Sequence, residues 1–219
     1  MRYAIAFIVG YFLGNISFSS IFAKAVAKKD IHTMGSGNPG ATNILRTMGL
    51  KYAVPVFILD AFKAIIASVI GCLIIDNGSF FEFSFLQGYT CPEVFIGGVA
   101  AILGHNYPVF MCFKGGKGVS CTLGLLIVLN PLMGLCAVAF AASVNVKIKI
   151  YSIVSLATML ISALFYMFFD VCPNTQDNLI QIIVLWSLFA LMVFTHRQNI
   201  VRLIKGTEGK INIFKTEEK

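Results

Sequence analysis

The stretch that decides the fold of this chain is VSCTLGLLIVLNPLMGLCAVAFAASVNV, residues Val119–Val146. It carries no charge, and at 28 residues (119 to 146) it is long for one membrane crossing and short for two, since one crossing takes about 20 residues. Asn130-Pro131 lies near its middle, and a proline inside a helix removes a hydrogen bond and favours a break. The run is therefore either one long span or a hairpin of two short helices.

Five further apolar runs have the length of membrane-spanning helices. They are Tyr3–Ala23, Tyr52–Ile75, Val94–Phe113, Ile150–Phe169 and Leu179–Thr195. The composition agrees, because 58% of the residues are hydrophobic and 12% are charged, against about 25% charged in soluble domains. So little polar surface excludes a soluble enzyme, a disordered chain and a fibrous repeat. The sequence predicts an all-α polytopic membrane protein, whose first run is retained because no cleavage site follows it.

The distribution of charge selects the hairpin, because cytoplasmic loops collect Lys and Arg. Segments 24–51, 114–117, 147–149 and 197–219 are basic, whereas 76–93 and 170–177 carry acids and no base. With a break at Asn130, all basic segments fall on one side and 15 of the 17 Lys and Arg residues become cytoplasmic. A single crossing would place Lys147, Lys149 and the C-terminal tail outside. We therefore predict about seven transmembrane helices, with the N-terminus outside and the C-terminus cytoplasmic.

The first of three polar clusters is GSGNPGATNILR, residues 35–46. It contains the glycine spacing of a dinucleotide-binding loop, but no strand precedes it and no βαβ unit fits between two spans. Glycines let backbone N–H groups approach an anion, and a following helix N-terminus adds positive potential. Thr42 and Arg46 share a helix face, and a guanidinium binds phosphate or carboxylate with two hydrogen bonds. We interpret the cluster as an anion-binding loop, with an ordinary Gly-rich helix cap as the alternative.

The second cluster joins GHNYP, residues 104–108, to FKGGKGVS, residues 113–120. Lys114 and Lys117 flank paired glycines directly before an apolar run, and this order is typical of a phosphate cradle. The alternative is a basic loop with a flexible turn. For His105 two interpretations stay open, a buried histidine with its hydrogen bonds satisfied and a functional histidine.

The third cluster is THRQNIVRL, residues 195–203, at the end of the last span. His196 and Asn199 lie three residues apart and share a helix face. The predicted topology puts all three clusters on the cytoplasmic side, so we expect this face to meet the other two. Arg197, Lys205 and Lys210 are interpreted as the basic flank of the span.

Two charged residues, Asp60 and Lys63, lie three residues apart inside the second span. A charge within the membrane is costly and requires a partner, so we expect them to form a structural ion pair. The six cysteines form no C-x-x-C pair and no metal-ligand spacing, and we interpret them as small apolar residues. We expect no metal, no other cofactor and no nucleic-acid partner.

The three clusters, in this order, resemble the motifs of the bacterial acyl-phosphate:glycerol-3-phosphate acyltransferases, membrane enzymes of phospholipid biosynthesis. The resemblance covers nearly the whole chain and implies one integral-membrane domain, residues 1–219, in the bacterial cytoplasmic (inner) membrane. The implied reaction moves a fatty acyl group from acyl phosphate to the 1-hydroxyl of sn-glycerol 3-phosphate. Its products are lysophosphatidic acid and inorganic phosphate. The family has seven helices with the N-terminus outside, similar to what the charges predict.

The resemblance also implies a site facing the cytoplasm. The expected catalytic residues are Ser36, Arg46, Lys117, His196 and Asn199. The expected substrate-binding residues are Gly37, Asn38, Gly40, Thr42, Asn43, Lys114, Gly115, Gly116 and Gly118. The chain departs from the family at Ser120-Cys121-Thr122, where Ala-Thr-Ala or similar is usual, so a role for the usual hydroxyl at position 121 stays open. The segment Asp76–Glu93 is also longer than is typical of the family.

The sequence carries no recognisable nucleophile with a base, since G-x-S-x-G, H-E-x-x-H and H-x-x-x-x-D are missing. A site rich in cations suits two anionic substrates that react directly with each other. We expect the glycerol hydroxyl to attack the acyl phosphate, with a substrate phosphate oxygen or His196 as the base. A transporter of phosphorylated anions is the main rival, although transporters bind near the midplane on broken helices. A structural membrane protein would leave the three clusters unexplained.

Overall fold

All secondary structure in the computed structural model is helical within the residues it describes, which are 1–76, 93–168 and 175–212. The helices are α1 (Arg2–Gly14), α2 (Phe18–Phe22), α3 (Ala41–Met48), α4 (Leu50–Asp76), α5 (Glu93–Asn106), α6 (Val119–Leu129), α7 (Pro131–Ile148), α8 (Tyr151–Phe168), α9 (Thr175–Thr195) and α10 (Arg197–Ile204). A π-helical turn, Ala23–Ala27, extends α2, and short 3-10 turns occupy Ile31–Thr33 and Val109–Met111. The predicted acidic loop, residues 77–92, and the segment around Asp170 lie outside the described residues.

The uncharged run Val119–Val146 breaks at Asn130-Pro131, as these residues predict. Asn130 caps α7, its side-chain oxygen accepting from the backbone N–H of Met133 at 3.0 Å, and Pro131 takes the first helical position. The start of α6 and the end of α7 line the same cavity, so the chain returns to the side from which it started. The predicted break of the run into two helices at Asn130-Pro131 is confirmed, and how often the run crosses the membrane stays a prediction.

The count of seven crossings stays a prediction, because fewer helices among the described residues are long enough to span a membrane. Five helical stretches are long and apolar enough to span a membrane, namely Arg2–Ala27, Leu50–Ile75, Glu93–Met111, Pro131–Ile148 and Tyr151–Phe168. A sixth results if Leu179–Thr195 and α10 count as one span bent by 61°. At 1.5 Å per residue, α6 extends only about 16 Å, roughly half the hydrocarbon core. The side on which each terminus lies stays a prediction.

The helices pack through small residues, which replace the hydrophobic effect as the means of association in lipid. A Cβ atom added to Gly14 would meet the backbone of Ala101, and one added to Gly97 would meet the backbone of Ala67. These contacts bring α1, α4 and α5 close together. Large apolar side chains point outward, as a bilayer requires; examples are Phe7, Phe12, Ile58, Phe62, Ile66 and Ile183.

The intramembrane charges form the predicted ion pair. Lys63 Nζ lies 2.8 Å from Asp60 Oδ1, and both side chains are almost fully buried. The ammonium also donates to the carbonyl oxygen of Ile16 at 2.7 Å and to His105 Nδ1 at 2.9 Å. The pair therefore ties α4 to α5 and to the break after α1.

Removing one member of this pair should cost far more stability than removing both. In Lys63→Met the Asp60 carboxylate is left buried without a cation, which costs about 3–5 kcal/mol in comparable buried pairs. The double variant Asp60→Asn/Lys63→Met buries no charge and should recover most of the loss. Thermal unfolding of the detergent-solubilised variants measures this. Equal unfolding temperatures for the single and double variants would rule out the ion pair as the stabilising contact.

Candidate active site

A cavity with a volume of about 860 Å³ brings the three polar clusters together at one end of the helices. All the residues that the sequence predicts for the site line it, both the five catalytic candidates and the nine substrate-binding ones. The cavity continues along an apolar wall contributed by α6, α7, α8 and α9. Residues of that wall are Leu123, Leu126, Val138, Ala141, Ala142, Val146, Met159 and Met192. One half of the cavity is therefore polar and the other half apolar.

The first cluster folds around Asn43, the side chain of which is almost fully buried. Asn43 Oδ1 accepts from the backbone N–H of Ser36 at 2.9 Å and from its hydroxyl at 3.2 Å, while Nδ2 donates to the carbonyl of Met34 at 2.9 Å. Gly35 has φ +52°, and a Cβ there would collide with Asn43 Oδ1. Asn43 thus holds Ser36 at the cavity. Both ends of the Asn43 side-chain amide are hydrogen-bonded within the protein. As predicted, a helix, α3, begins directly after Gly40.

The second cluster packs more tightly than a free phosphate loop. The backbone N–H groups of Gly115 and Gly116 donate to the carbonyls of Asn106 and His105, at 3.1 and 2.9 Å, and so complete the end of α5. These two amides are therefore engaged and do not point freely to an anion, contrary to what the glycine pattern suggested. A Cβ on Gly116 would meet His105 Nε2, which shows that the glycine serves close packing. Lys114 and Lys117 supply the charge of this loop within the cavity.

The third cluster meets the second through a direct contact. Asn199 Oδ1 accepts a hydrogen bond from Lys117 Nζ, and Asn199 Nδ2 donates to Glu208 Oε1 at 2.6 Å. His196 lies in the turn between α9 and α10, and its Nδ1 donates to the carbonyl of Met192 at 2.8 Å. The shared face predicted for His196 and Asn199 does line the cavity with the other two clusters.

The electrostatics of the polar half favour an anion. Burial, together with the charges of Arg202 and Arg46, lowers the pKa of Lys117 to about 8, while Glu208 acts in the opposite direction. Burial alone would raise the pKa of Glu208, but hydrogen bonds from Asn199, Arg202 and Ser152 hold it below its ordinary value. The cavity is lined by five cationic side chains and two carboxylates, Asp60 and Glu208, and Asp60 is paired with Lys63. The cations are Arg46, Lys114, Lys117, Arg197 and Arg202. The excess positive charge suits a phosphate dianion.

His196 differs from these charged groups because its environment favours the neutral imidazole. Burial, followed by the nearby Lys117 charge, lowers the pKa of His196 to about 4. At neutral pH the ring is therefore uncharged and is a weak base.

One buried group, Asp60, His105 and Cys121, has ligand atoms of the type that bind metals, all within 4.8 Å of one another. The Lys63 ammonium lies 2.8 Å from Asp60 Oδ1 and 2.9 Å from His105 Nδ1, so a cation already sits between these ligands. The arrangement fits the lysine better than a metal ion.

Comparison with known proteins identifies the family. The model of the family described as glycerol-3-phosphate acyltransferase matches residues 4–206. The chain belongs to the glycerol-3-phosphate acyltransferase family. The family resemblance drawn from the three motifs is confirmed, and this acyltransferase is an enzyme.

Relatives match the acyltransferase over almost its full length. The glycerol-3-phosphate acyltransferase of Thermoanaerobacter sp. (strain X514) is 39% identical over 208 residues, 93% of each chain. That of Clostridioides difficile (strain 630) is 35% identical over 209 residues, 95% of each chain. Such coverage leaves no large part of the acyltransferase without a counterpart in these relatives.

Solved structures share the fold. The crystal structure of PlsY (YgiH), an integral membrane glycerol 3-phosphate acyltransferase, in its glycerol 3-phosphate form superposes with a TM-score of 0.80, 30% identity and 96% coverage of both chains. The lysophosphatidic acid form gives a TM-score of 0.79 at 29% identity, with 98% of this chain and 100% of the other covered. The acyltransferase is therefore an integral membrane protein.

Sequence reasoning gave no role to Glu208, which is central to the site. Its carboxylate accepts from Asn199 Nδ2 and Arg202 Nε, each at 2.6 Å, and from the Ser152 hydroxyl at 2.8 Å. The available signal was a single acid within the otherwise basic stretch 197–210. Ser152 lies 56 residues earlier and gave no signal at all.

The departure from the family at position 121 proves to be a packing contact. The Cys121 thiol is fully buried and donates to the carbonyl of Asp60 at 3.1 Å, joining α6 to α4. A threonine hydroxyl could make the same bond. Thr122 donates to the carbonyl of Gly118 within the helix, and Ser120 lines the cavity.

Proposed function

We propose that the acyltransferase moves a fatty acyl group from acyl phosphate to the 1-hydroxyl of sn-glycerol 3-phosphate, giving lysophosphatidic acid and inorganic phosphate. The observation that carries the proposal is the divided cavity. Its polar half holds five cationic side chains, among them Lys117, Arg46 and Arg202, against the carboxylates of Glu208 and of Asp60, which is paired with Lys63. Its apolar half offers a wall on α6 and α7 along which an acyl chain can lie. The names of the similar PlsY structures mention glycerol 3-phosphate and lysophosphatidic acid, which agrees with this pair.

The chemistry we propose is direct transfer without a covalent enzyme intermediate. The glycerol oxygen forms a bond to the acyl carbon, the bond from that carbon to the phosphate oxygen breaks, and inorganic phosphate leaves with the electron pair. Lys117 and Arg46 neutralise the charge that develops on the departing phosphate. An acyl phosphate is an activated anhydride, so positioning and charge neutralisation suffice.

The proton of the glycerol hydroxyl passes, in this proposal, to a substrate phosphate oxygen. A phosphate monoester has its second pKa near 6, whereas the surroundings of His196 lower the pKa of that ring to about 4. The phosphate is therefore the stronger base of the two candidates. His196 and Asn199 then complete the polar wall, and Asn199 orients Lys117.

We propose that the cavity opens to the cytoplasm from the inner membrane of a bacterium, within a single domain of residues 1–219. The support is that all basic segments of the described chain meet at the cavity end of the helices, as the positive-inside rule requires of the cytoplasmic side. The N-terminus is then outside, and the tail after α10 inside. Cysteine-accessibility labelling that places Lys147 and the tail outside would overturn this orientation.

One assay tests the proposed reaction. Purified enzyme with palmitoyl phosphate and glycerol 3-phosphate should release inorganic phosphate and lysophosphatidic acid in equal amounts. Release of phosphate without the lipid product, or dependence on acyl-CoA, would show that acyl phosphate is not the acyl donor. Uptake of glycerol 3-phosphate into vesicles without chemistry would favour the transporter. Trapping of an acyl group on a side chain would reject direct transfer.

The pH dependence of the reaction should report Lys117. Below pH of about 8 its ammonium is protonated, and above that value the site loses a cation, so kcat/KM should fall as the pH rises through 8. In Lys117→Arg the guanidinium stays charged, and the alkaline decline should disappear. Initial rates between about pH 6 and 9.5, corrected for spontaneous hydrolysis of the donor, measure both profiles. The same alkaline decline in both enzymes would assign it to another group.

A further inference from the structure

His105 lies between the buried ion pair of α4, Asp60 and Lys63, and the glycines of the second cluster, residues 115–118. Its side chain is buried, and its Nδ1 lies 2.9 Å from Lys63 Nζ. An ammonium has donors and no acceptor, so Nδ1 accepts and carries no proton. The ring is therefore neutral, and its proton lies on Nε2. The contact with Lys63 fixes the tautomer, and Asp60 holds Lys63 in place.

The other ring nitrogen, Nε2, faces the place where the two glycine loops of the site, residues 35–40 and 115–118, come together. A Cβ on Gly116 would meet Nε2 and would come within 2.8 Å of the carbonyl oxygen of Pro39. Among the described residues, Nε2–H has no hydrogen-bond acceptor, and His105 lines the cavity. A ring N–H in a cavity wall without a protein acceptor is available to bind a ligand oxygen.

We propose that His105 is a further binding residue of this enzyme, which donates from Nε2–H to a phosphate oxygen of a substrate held between the two glycine loops. Asp60 and Lys63 are its positioning residues, because they set the tautomer and the ring orientation. The inference rests on the proposed function, in which both substrates carry a phosphate. Oxygen atoms of a phosphate accept only, which matches a fixed N–H donor. This donor is uncharged, so it adds to Lys117 and Arg46 without adding repulsion between cations.

Two amide substitutions separate the two nitrogens of the ring. In His105→Gln the amide reaches the position of Nε2 and keeps a donor there, but Lys63 loses its acceptor. In His105→Asn the amide reaches only the position of Nδ1, so Lys63 keeps its acceptor and the donor to substrate is lost. We expect the Asn variant to raise KM for one substrate by roughly 10- to 100-fold, the usual effect of losing a hydrogen bond to a charged group. The Gln variant should be affected clearly less.

The substrate that responds identifies the phosphate. A raised KM for glycerol 3-phosphate assigns the bond to the acceptor substrate, and a raised KM for palmitoyl phosphate assigns it to the donor. Unchanged KM values in His105→Asn, or a Gln variant as impaired as the Asn variant, would overturn the proposal. If wild-type enzyme does not use acyl phosphate, the proposed function fails by itself. The same variants are then compared for binding of inorganic phosphate by calorimetry, where weaker binding by the Asn variant supports the donor and equal binding overturns it.

The positioning role has its own matched pair. Asp60→Leu/Lys63→Gln removes both charges but leaves an amide that can donate to Nδ1, whereas Asp60→Leu/Lys63→Met offers no donor. Both pairs use leucine at position 60, because an asparagine amide there would lie near Nδ1 and could itself donate. If the tautomer matters, the Gln pair keeps the wild-type KM and the Met pair shows the increase seen in His105→Asn, at similar unfolding temperatures. Equal KM values for the two pairs would remove Lys63 from this role.

Discussion

Lys117→Met is expected to lower kcat/KM for acyl transfer by roughly 100- to 1,000-fold, the size of effect seen when one group that stabilises developing charge is removed. Lys117 donates to Asn199 and lies in the same polar half as Arg46 and Arg202. A methionine of similar length fills the space but neutralises no phosphate. Folding should survive, because the substitution also removes repulsion between Lys117 and the two arginines. Rates of inorganic phosphate release, with size-exclusion profiles in detergent, measure the two effects separately.

The matched control for this prediction is Lys205→Met. Lys205 is exposed at the end of α10 and does not line the cavity, so its loss should change kcat/KM less than twofold or so, the usual size of a surface effect. Lys117→Met with wild-type kcat/KM would remove Lys117 from the site. A comparable loss in both variants would mean that overall charge, and not the position of Lys117, governs the rate.

The break at Asn130 was predictable because its signals are local. An Asn cap, a Pro at the next position and charges at both ends lie within one short stretch. The break inside the first run was not predictable, although Asn15 and the serines that follow were visible. Asn15 Oδ1 accepts from the backbone N–H of Val109 at 2.6 Å, a partner 94 residues away. The length of the run, short for two crossings, already predicted that the two helices would be short, and α6 has only 11 residues.

The site was largely predictable because polar residues stand out in so apolar a chain. The role of each polar residue was less predictable, because that role depends on tertiary contacts. The amides of Gly115 and Gly116 end α5, and the Asn43 side chain holds Ser36, where the sequence suggested contact with an anion. A glycine or asparagine in a loop serves a ligand or a backbone equally well. Only the neighbouring helix decides between these tasks.

Glu208→Ala is expected to lower both activity and stability, in contrast to Lys117→Met. Its carboxylate accepts hydrogen bonds from Asn199, Arg202 and Ser152, and thereby ties the tail after α10 to α8 and orients Asn199 toward Lys117. Without it, three donors lose their acceptor and Arg202 is left uncompensated beside Lys117. We expect kcat/KM to fall by 10-fold or more, roughly what one lost hydrogen bond to a charged group produces, together with a lower unfolding temperature. Glu208→Gln keeps an acceptor but no charge, so its kcat/KM and unfolding temperature should lie between those of wild type and Glu208→Ala.

The pH dependence of stability supplies the decisive comparison for Glu208. Its pKa in the folded protein is lowered, so its contribution is fully present above the ordinary glutamate pKa, about 4.3, and is lost as the pH falls through the folded value. Unfolding temperatures of wild type and Glu208→Ala should therefore differ at pH 7 and converge in acid. The comparison variant Asp30→Ala removes an exposed acid outside the cavity whose carboxylate accepts from the backbone N–H of His32, and its difference from wild type at pH 7 should be smaller than that of Glu208→Ala. If the difference in unfolding temperature between wild type and Glu208→Ala persists unchanged in acid, the carboxylate charge does not hold the tail. The contact of Glu208 with Asn199 would then stabilise the protein through packing alone.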